Sequence, residues 1–385
     1  MAAIKRFVSI GLLVPAWLSS SVLGAVLPEE RADLMYHRYD GGGVTIDGPS
    51  LLVRKNFAEK VSVSANYYVD SVSSASIDVT ASGASRYTEE RKEYSLSADY
   101  LYEKSLMSVG FTNSTENDYE AETVFIGVSQ DFFGDLTTIS FGYAQGNDTV
   151  KQNGVDDFEA SIRRENYRFS ISQILTPSLI ASFSYESISD EGFLNNPYRS
   201  YRFLINPLDP SAGYRSEQEV YPQTRTSDAA ALRAIYYLPY RAAVRGEYRY
   251  FTDDWGIKAH TYEVQYTHTL GTRWIFDVKY RAYSQDQADF YSDLFFFAAQ
   301  DPKDYRARDK ELSQFSSQTV GLGISYELGF ARTVFDRSTI SLQWDHLEFD
   351  YDNFRDLTDL TPIAGDESLY SFDADVYRLF LSIWY

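Results

Sequence analysis

The segment Asp375-Val376-Tyr377-Arg378-Leu379-Phe380-Leu381-Ser382-Ile383-Trp384-Tyr385 changes character residue by residue. Tyr377, Leu379, Leu381, Ile383 and Tyr385 share one face, while Asp375, Arg378 and Ser382 mark a more polar side, the period of two expected of a half-buried strand. One such strand is compatible with any β-protein. Its meaning comes from the rest of the chain, which repeats the same plan behind an export-type amino terminus.

Working back from that segment, alternating stretches fall at 33–39, 44–55, 60–72, 91–102, 106–115, 122–130, 137–146, 163–175, 179–189, 227–238, 242–251, 257–270, 273–284, 318–328 and 338–350. With 375–385 they make about sixteen strands, an even number of the kind single-chain bacterial barrels use. Connections alternate between short and long. Turn-forming residues occupy the short ones at 56–59, 103–105, 132–135, 176–178, 239–240 and 271–272, which places them on the periplasmic side. The long ones, 73–90, 147–162, 190–226, 285–317 and 351–374, then face outward, and both chain ends fall in the periplasm. The expected fold is all-β, a transmembrane antiparallel β-barrel of about sixteen strands. It occupies 26–385 as one domain, its last strand pairing with its first.

Residues 1–25 read as a secretory signal peptide: Lys5 and Arg6 precede an apolar run from Phe7 to Leu18, and small residues near Gly24 and Ala25 offer a cleavage site. That run is too short to be a bilayer-spanning helix. Mean hydropathy is only −0.34, which a barrel tolerates because every second residue of a strand faces a watery interior. The 32 Tyr and 25 Phe suit such a wall, with Tyr100, Tyr102, Tyr143, Tyr185, Trp274, Tyr326 and Tyr385 placed for interfacial girdles against outer-membrane lipid. Cysteine is absent, which excludes disulfides, thiolate chemistry and a lipoprotein anchor. A net charge of −20 disfavours nucleic acid as a partner.

The charged residues of the strands point to the lumen, because a charge facing lipid at mid-depth costs about 2 to 4 kcal/mol. Arg168, Arg233, Arg245, Arg249, Lys279, Arg281 and Arg378 share inward faces with Asp70, Asp99, Glu186, Glu247, Glu263, Asp277 and Asp345. Two readings stand: a network of ion pairs that satisfies the interior, or a field that selects small polar solutes. The segment 192–222, with Arg199, Tyr201 and Arg202, is open to three: a surface loop, a constriction folded into the pore, or an Arg-Tyr surface for an anionic partner. The acidic stretch around Asp350, Asp352, Asp356, Asp359, Asp366 and Glu367 reads as a solvated face.

No hydrolase, zinc-protease, phosphate-loop or dinucleotide motif occurs. The histidines are His37, His260, His268 and His346, without metal-ligand spacing between them. The chain is therefore expected not to be an enzyme.

Met35-Tyr36-His37-Arg38-Tyr39-Asp40, Gly48-Pro49-Ser50, the run from Tyr68 to Ser76 and Glu116-Asn117-Asp118-Tyr119 resemble an outer-membrane barrel family known only as a domain of unknown function. Members of that family are often encoded beside a periplasmic flavin transferase, a thioredoxin-like protein and a small Cys-containing lipoprotein. The resemblance thus implies an extracytosolic redox setting, with the lipoprotein and the transferase as partners. Asp70-Ser71-Val72-Ser73-Ser74-Ala75-Ser76 is similar to the motif on which such transferases attach FMN, which implies Ser76 as a covalent acceptor and Asp70 as part of that motif. Without the resemblance, the same small polar residues make a tight bend at a strand exit. Arg378, Ile383 and Tyr385 resemble the terminal pattern read by the barrel assembly machinery, with Phe380 where glycine is usual. The expected function is a porin-like conduit or scaffold for a redox system. A general or nutrient-specific diffusion porin is the alternative, and an outer-membrane enzyme the second.

Overall fold

A computed structural model describes residues 26–74, 87–301, 303–329 and 335–385, with the side chains of 74, 87 and 156 excepted. The signal segment 1–25 and Ser76 lie outside the described residues. Sixteen strands close into one antiparallel barrel. They are β1 (Arg31–Gly41), β2 (Val44–Phe57), β3 (Val61–Ser74), β4 (Tyr87–Tyr102), β5 (Ser105–Thr115), β6 (Tyr119–Phe132), β7 (Thr137–Gln152), β8 (Val155–Thr176) and β9 (Leu179–Gly192). After a small hairpin of β10 (Ser200–Leu204) and β11 (Tyr214–Gln218), the wall resumes with β12 (Thr224–Leu238), β13 (Ala242–Asp253) and β14 (Lys258–Leu270). It finishes with β15 (Trp274–Gln285), β16 (Phe315–Leu328), β17 (Arg337–Arg355) and β18 (Leu369–Trp384). The closure is β1 against β18, with Arg31 opposite Trp384 and Asp40 opposite Asp375. Closure removes the sheet edge that lipid could not hydrate.

The short turns expected at 56–59, 103–105, 132–135, 176–178, 239–240 and 271–272 all lie at the end of the barrel where β1 begins and β18 finishes. At the other end β1 passes to β2 through Gly42 and Gly43, both at positive φ (57° and 76°), which a two-residue hairpin requires. Across the middle of the wall the outward positions are apolar. Leu96 lies between Tyr94 and Tyr100 on β4, and Phe276 and Val278 between Trp274 and Tyr280 on β15, all of them exposed. Tyr36, Tyr67, Tyr94, Tyr262, Tyr280 and Tyr377 form the upper girdle, and Phe57, Tyr100, Tyr102, Phe132, Tyr237 and Trp274 belong to the lower one. No helix among the described residues is long and apolar enough to cross a membrane. The strands cross it. A closed wall with an apolar belt between two aromatic girdles is a protein of the bacterial outer membrane.

Above the upper girdle the polarity of the wall inverts. Arg38, Asp40, Glu90, Lys92 and Glu120 now face outward into water. The inner face carries Val44, Ile46, Val72, Val150, Ile162 and Val376, all buried. The stretch 147–162, expected as a long loop, is for this reason mostly strand: β7 and β8 run on to a turn at Asn153 and Gly154. The same inversion corrects Asp375. It belongs to the outward face, above the girdle, where it accepts from Trp344 Nε1 (2.9 Å) and pairs with His346 Nδ1 (3.0 Å).

Candidate functional site

Three connections, 193–223, 286–314 and 356–368, fold together over the upper mouth and form a cap. Its core is Leu194, Tyr221, Trp255, Ile257, Ala288, Tyr291, Ala307 and Leu312, closed from the side by Val150 and Ile162 of the tall β7–β8 wall. Backbone bridges join Phe203 to Phe295 and Val220 to Arg306, so the first two connections are stitched to each other. Tyr198 reaches one flank, donating to Asp118 Oδ2 (2.7 Å) beside β6, and Arg202 reaches the other, with Nη1 on Glu367 Oε1 (2.5 Å) before β18. The connection after β9 therefore spans the mouth.

The charges at the centre of the cap are buried and matched within the chain. The Arg202 guanidinium, 1% exposed, also holds Asp293, and Arg308 meets the other oxygen of Asp293 at 2.9 Å. Arg199 bridges Asp309 Oδ1 (2.5 Å) and Glu311 Oε1 (3.3 Å). Glu219 accepts from Tyr221 Oη (2.6 Å) and the Arg308 amide (2.6 Å). Burial, and then the neighbouring charge of Asp309, push the Glu219 carboxyl up to about 7, against the pull of Arg199, Tyr221 and the Arg308 amide. Burial raises Glu311 as well, opposed by Arg199 and reinforced by Asp309. For Glu367 the Arg202 contact outweighs burial and the carboxyl is lowered. An Arg-Tyr surface for an anionic partner is thereby corrected: Arg199 and Arg202 point into the cap and are occupied by its own carboxylates. The acidic stretch behaves as expected at Asp350, Asp352 and Asp359, which are exposed, but not at Glu367.

Below the cap lies the charged lumen, and the predicted residues face it. Arg168 Nε meets Glu186 Oε1 at 2.8 Å, and Arg249 stands 3.6 Å from the other oxygen. Arg233 pairs with Glu247 (2.6 Å) and Arg245 with Glu263. Lys279 and Arg378 share Asp345, each at 2.7 Å. Asp277 accepts from Gln265 (3.0 Å) and Thr267 (2.5 Å). Arg281 has the Tyr283 ring at 5.5 Å and, among the described residues, no carboxylate within ion-pair distance. On the other side of the ring Arg54 pairs with Asp99 (2.8 Å) amid a wall of serines, Ser62, Ser64, Ser95 and Ser97, that are buried.

Sequence reasoning missed the dyad of His37 and Asp70. His37 Nε2 lies 2.8 Å from Asp70 Oδ1, its ring stacks on Tyr68 at 5.2 Å, and Arg91 stands 3.9 Å from the same carboxylate. Asp70 is thus tied into the wall, four residues before β3 delivers the chain to the cap side at Ser74. The only available signal was that both residues fall on inward positions, on segments either side of β2, where Gly48 lies between them. Glu89, Glu116 and Asp118 also bring carboxylate oxygens within 4.8 Å of one another near the cap.

The model of the family described as proteins of unknown function, DUF3570, matches residues 83–340. The chain belongs to that family. No curated protein matches it. Among solved structures it is similar to a bacterial polysaccharide outer membrane secretin, at 6% identity over 93% of this chain and 100% of that one, with a TM-score of 0.49. The CymD monoaromatic hydrocarbon channel matches at 10% identity over 98% and 92%, TM-score 0.42. A FadL homologue of Pseudomonas aeruginosa matches at 10% over 93% and 91%, TM-score 0.39. Likenesses this distant carry no functional argument.

Proposed function

We propose that the protein is an outer-membrane conduit for small polar solutes, closed on the cell-surface side by its cap, and that it serves an extracytosolic redox system of the kind the family resemblance implies. The observation that carries the conduit reading is exposure inside the wall. The side chains of Arg168, Arg233, Arg245 and Arg249 are each about one-third exposed (34%, 37%, 33% and 36%) although they face the barrel axis. Charged groups at mid-wall that keep a third of their surface border water, and a barrel of this strand number has room for it. Planar-bilayer recording of the purified barrel tests the reading. A small conductance is expected, rising severalfold in Arg202→Ala, which leaves Glu367 without its guanidinium and Asp293 held by Arg308, and so unhooks the cap from the segment before β18. Silence from both proteins, each shown folded by heat-modifiable mobility, overturns it.

A flavin is the finer part of the proposal. Because β3 ends on the cap side, a periplasmic transferase would have to modify Ser76 before the barrel inserts. Co-expression with such a transferase should then give yellow-green in-gel fluorescence that Ser76→Ala abolishes. A dark band removes FMN and leaves the conduit.

A further inference from the structure

We propose that the lumen wall beneath the cap holds a binding site for small oxyanions, solutes carrying a phosphate or carboxylate group, with Arg281 and Arg249 as its ligands. The proposal rests on the conduit reading for the route of entry and names the solute class. On the inner faces of β8, β9 and β12–β15, Arg168, Arg233, Arg245, Arg249 and Arg281 stand among Glu186, Glu247 and Glu263. Arg233 takes Glu247 and Arg245 takes Glu263. Glu186 is engaged by Arg168 at 2.8 Å and by Asn166 at 2.8 Å, which leaves Arg249 only a 3.6 Å approach to its far oxygen. Arg281 has no carboxylate within ion-pair distance among the described residues: Glu263 stands opposite it in the strand register but is taken by Arg245. The nearest candidate on its own strand, Asp277, lies four residues down β15, roughly 13 Å along the strand, and is held by Gln265 and Thr267. Two positive charges are in excess here, in a chain whose net charge is −20.

The two guanidiniums also lean the same way. Each leans toward the cap over the ring two residues on, Arg249 over Phe251 at 5.7 Å and Arg281 over Tyr283 at 5.5 Å. Thr261 stands between Arg249 and Tyr283 in the strand register, so the two bearing strands are separated by one neighbour, roughly 10 Å. Both charges act on the Tyr283 hydroxyl, as does Arg225 above them. A planar guanidinium with free N–H donors in a water-filled space recognises a carboxylate or phosphate by paired hydrogen bonds. The local excess also offsets the repulsion that a strongly acidic protein would otherwise present to an anion.

The test uses inorganic phosphate as the probe and the full-length barrel in detergent. Calorimetric titration should show binding that weakens at least tenfold in Arg281→Gln and in Arg249→Gln and is partly retained in Arg281→Lys. Arg38→Gln, the same loss of charge on the outer wall, should bind as the parent does. In bilayers under a salt gradient, Arg281→Gln should shift the reversal potential toward cation selectivity. Phosphate affinity unchanged in Arg281→Gln, or weakened equally in Arg38→Gln, overturns the site. Binding without conductance overturns the conduit and leaves the site standing, while conductance without binding or selectivity change does the reverse.

Discussion

Within the cap, Glu219 shares a dry space with Asp309 and Glu311, with Arg199 bridging the latter two and Tyr221, Lys310 and the Arg308 amide completing the surroundings. A carboxyl held near 7 in the closed cap, against an ordinary value of 4.5, keeps a proton that the opened cap gives up. Its contribution to cap stability is therefore fully present below about pH 4.5 and is lost as the pH rises through about 7. Glu311 acts in the same direction, and Glu367, lowered by Arg202, acts oppositely in more acid solution. Hydrogen exchange of the amides in 193–223 and 286–314 should accelerate relative to the barrel strands between about pH 5 and pH 7.5. In Glu219→Gln that dependence should flatten, and an unchanged profile would exclude Glu219 as its origin. None of this was legible in the sequence. Arg199 and Arg202 drew attention there, but their partners lie about a hundred residues or more away, and no local spacing encodes which acid meets which base.

The strands were legible because each obeys one rule, polar inward and apolar outward, over the depth of the bilayer. That rule located all sixteen wall strands, from the β1 segment at 33–39 to the closing strand at 375–385. It failed where the surroundings change. Along β7 beyond Tyr143 and β8 before Tyr167 both faces meet something other than lipid and lumen, and the pattern that signals a membrane strand disappears although the ladder continues. Asp375 was misassigned for the same reason. The rule makes a sharp prediction at the level of one strand. Ile126 on β6 is 55% exposed toward lipid, so Ile126→Lys should lower barrel stability by about 2 to 4 kcal/mol. Glu122→Lys, four residues along the same strand and above the belt, should be nearly neutral. Refolding into bilayers of defined thickness measures both, and equal effects would mean that the belt has been misplaced.

At the scale of the whole molecule, the chain is a lipid-facing wall with a water-facing body seated on it. The wall's outer surface is apolar whether or not the cap is folded, whereas the cap draws Val150, Ile162, Trp255, Tyr291 and Leu312 out of water. The inverted upper wall is part of that body, since its inner face supplies two of those side chains. Removing apolar surface from water leaves a calorimetric mark that contact with lipid or detergent does not, a positive heat-capacity change when the surface is exposed again. Heating the barrel in detergent should accordingly give two transitions. The first, from the cap, should carry the heat-capacity step of a small soluble domain, and the second, from the belt, should carry little. By its heat capacity, the capped end of this membrane protein belongs with proteins that fold in water.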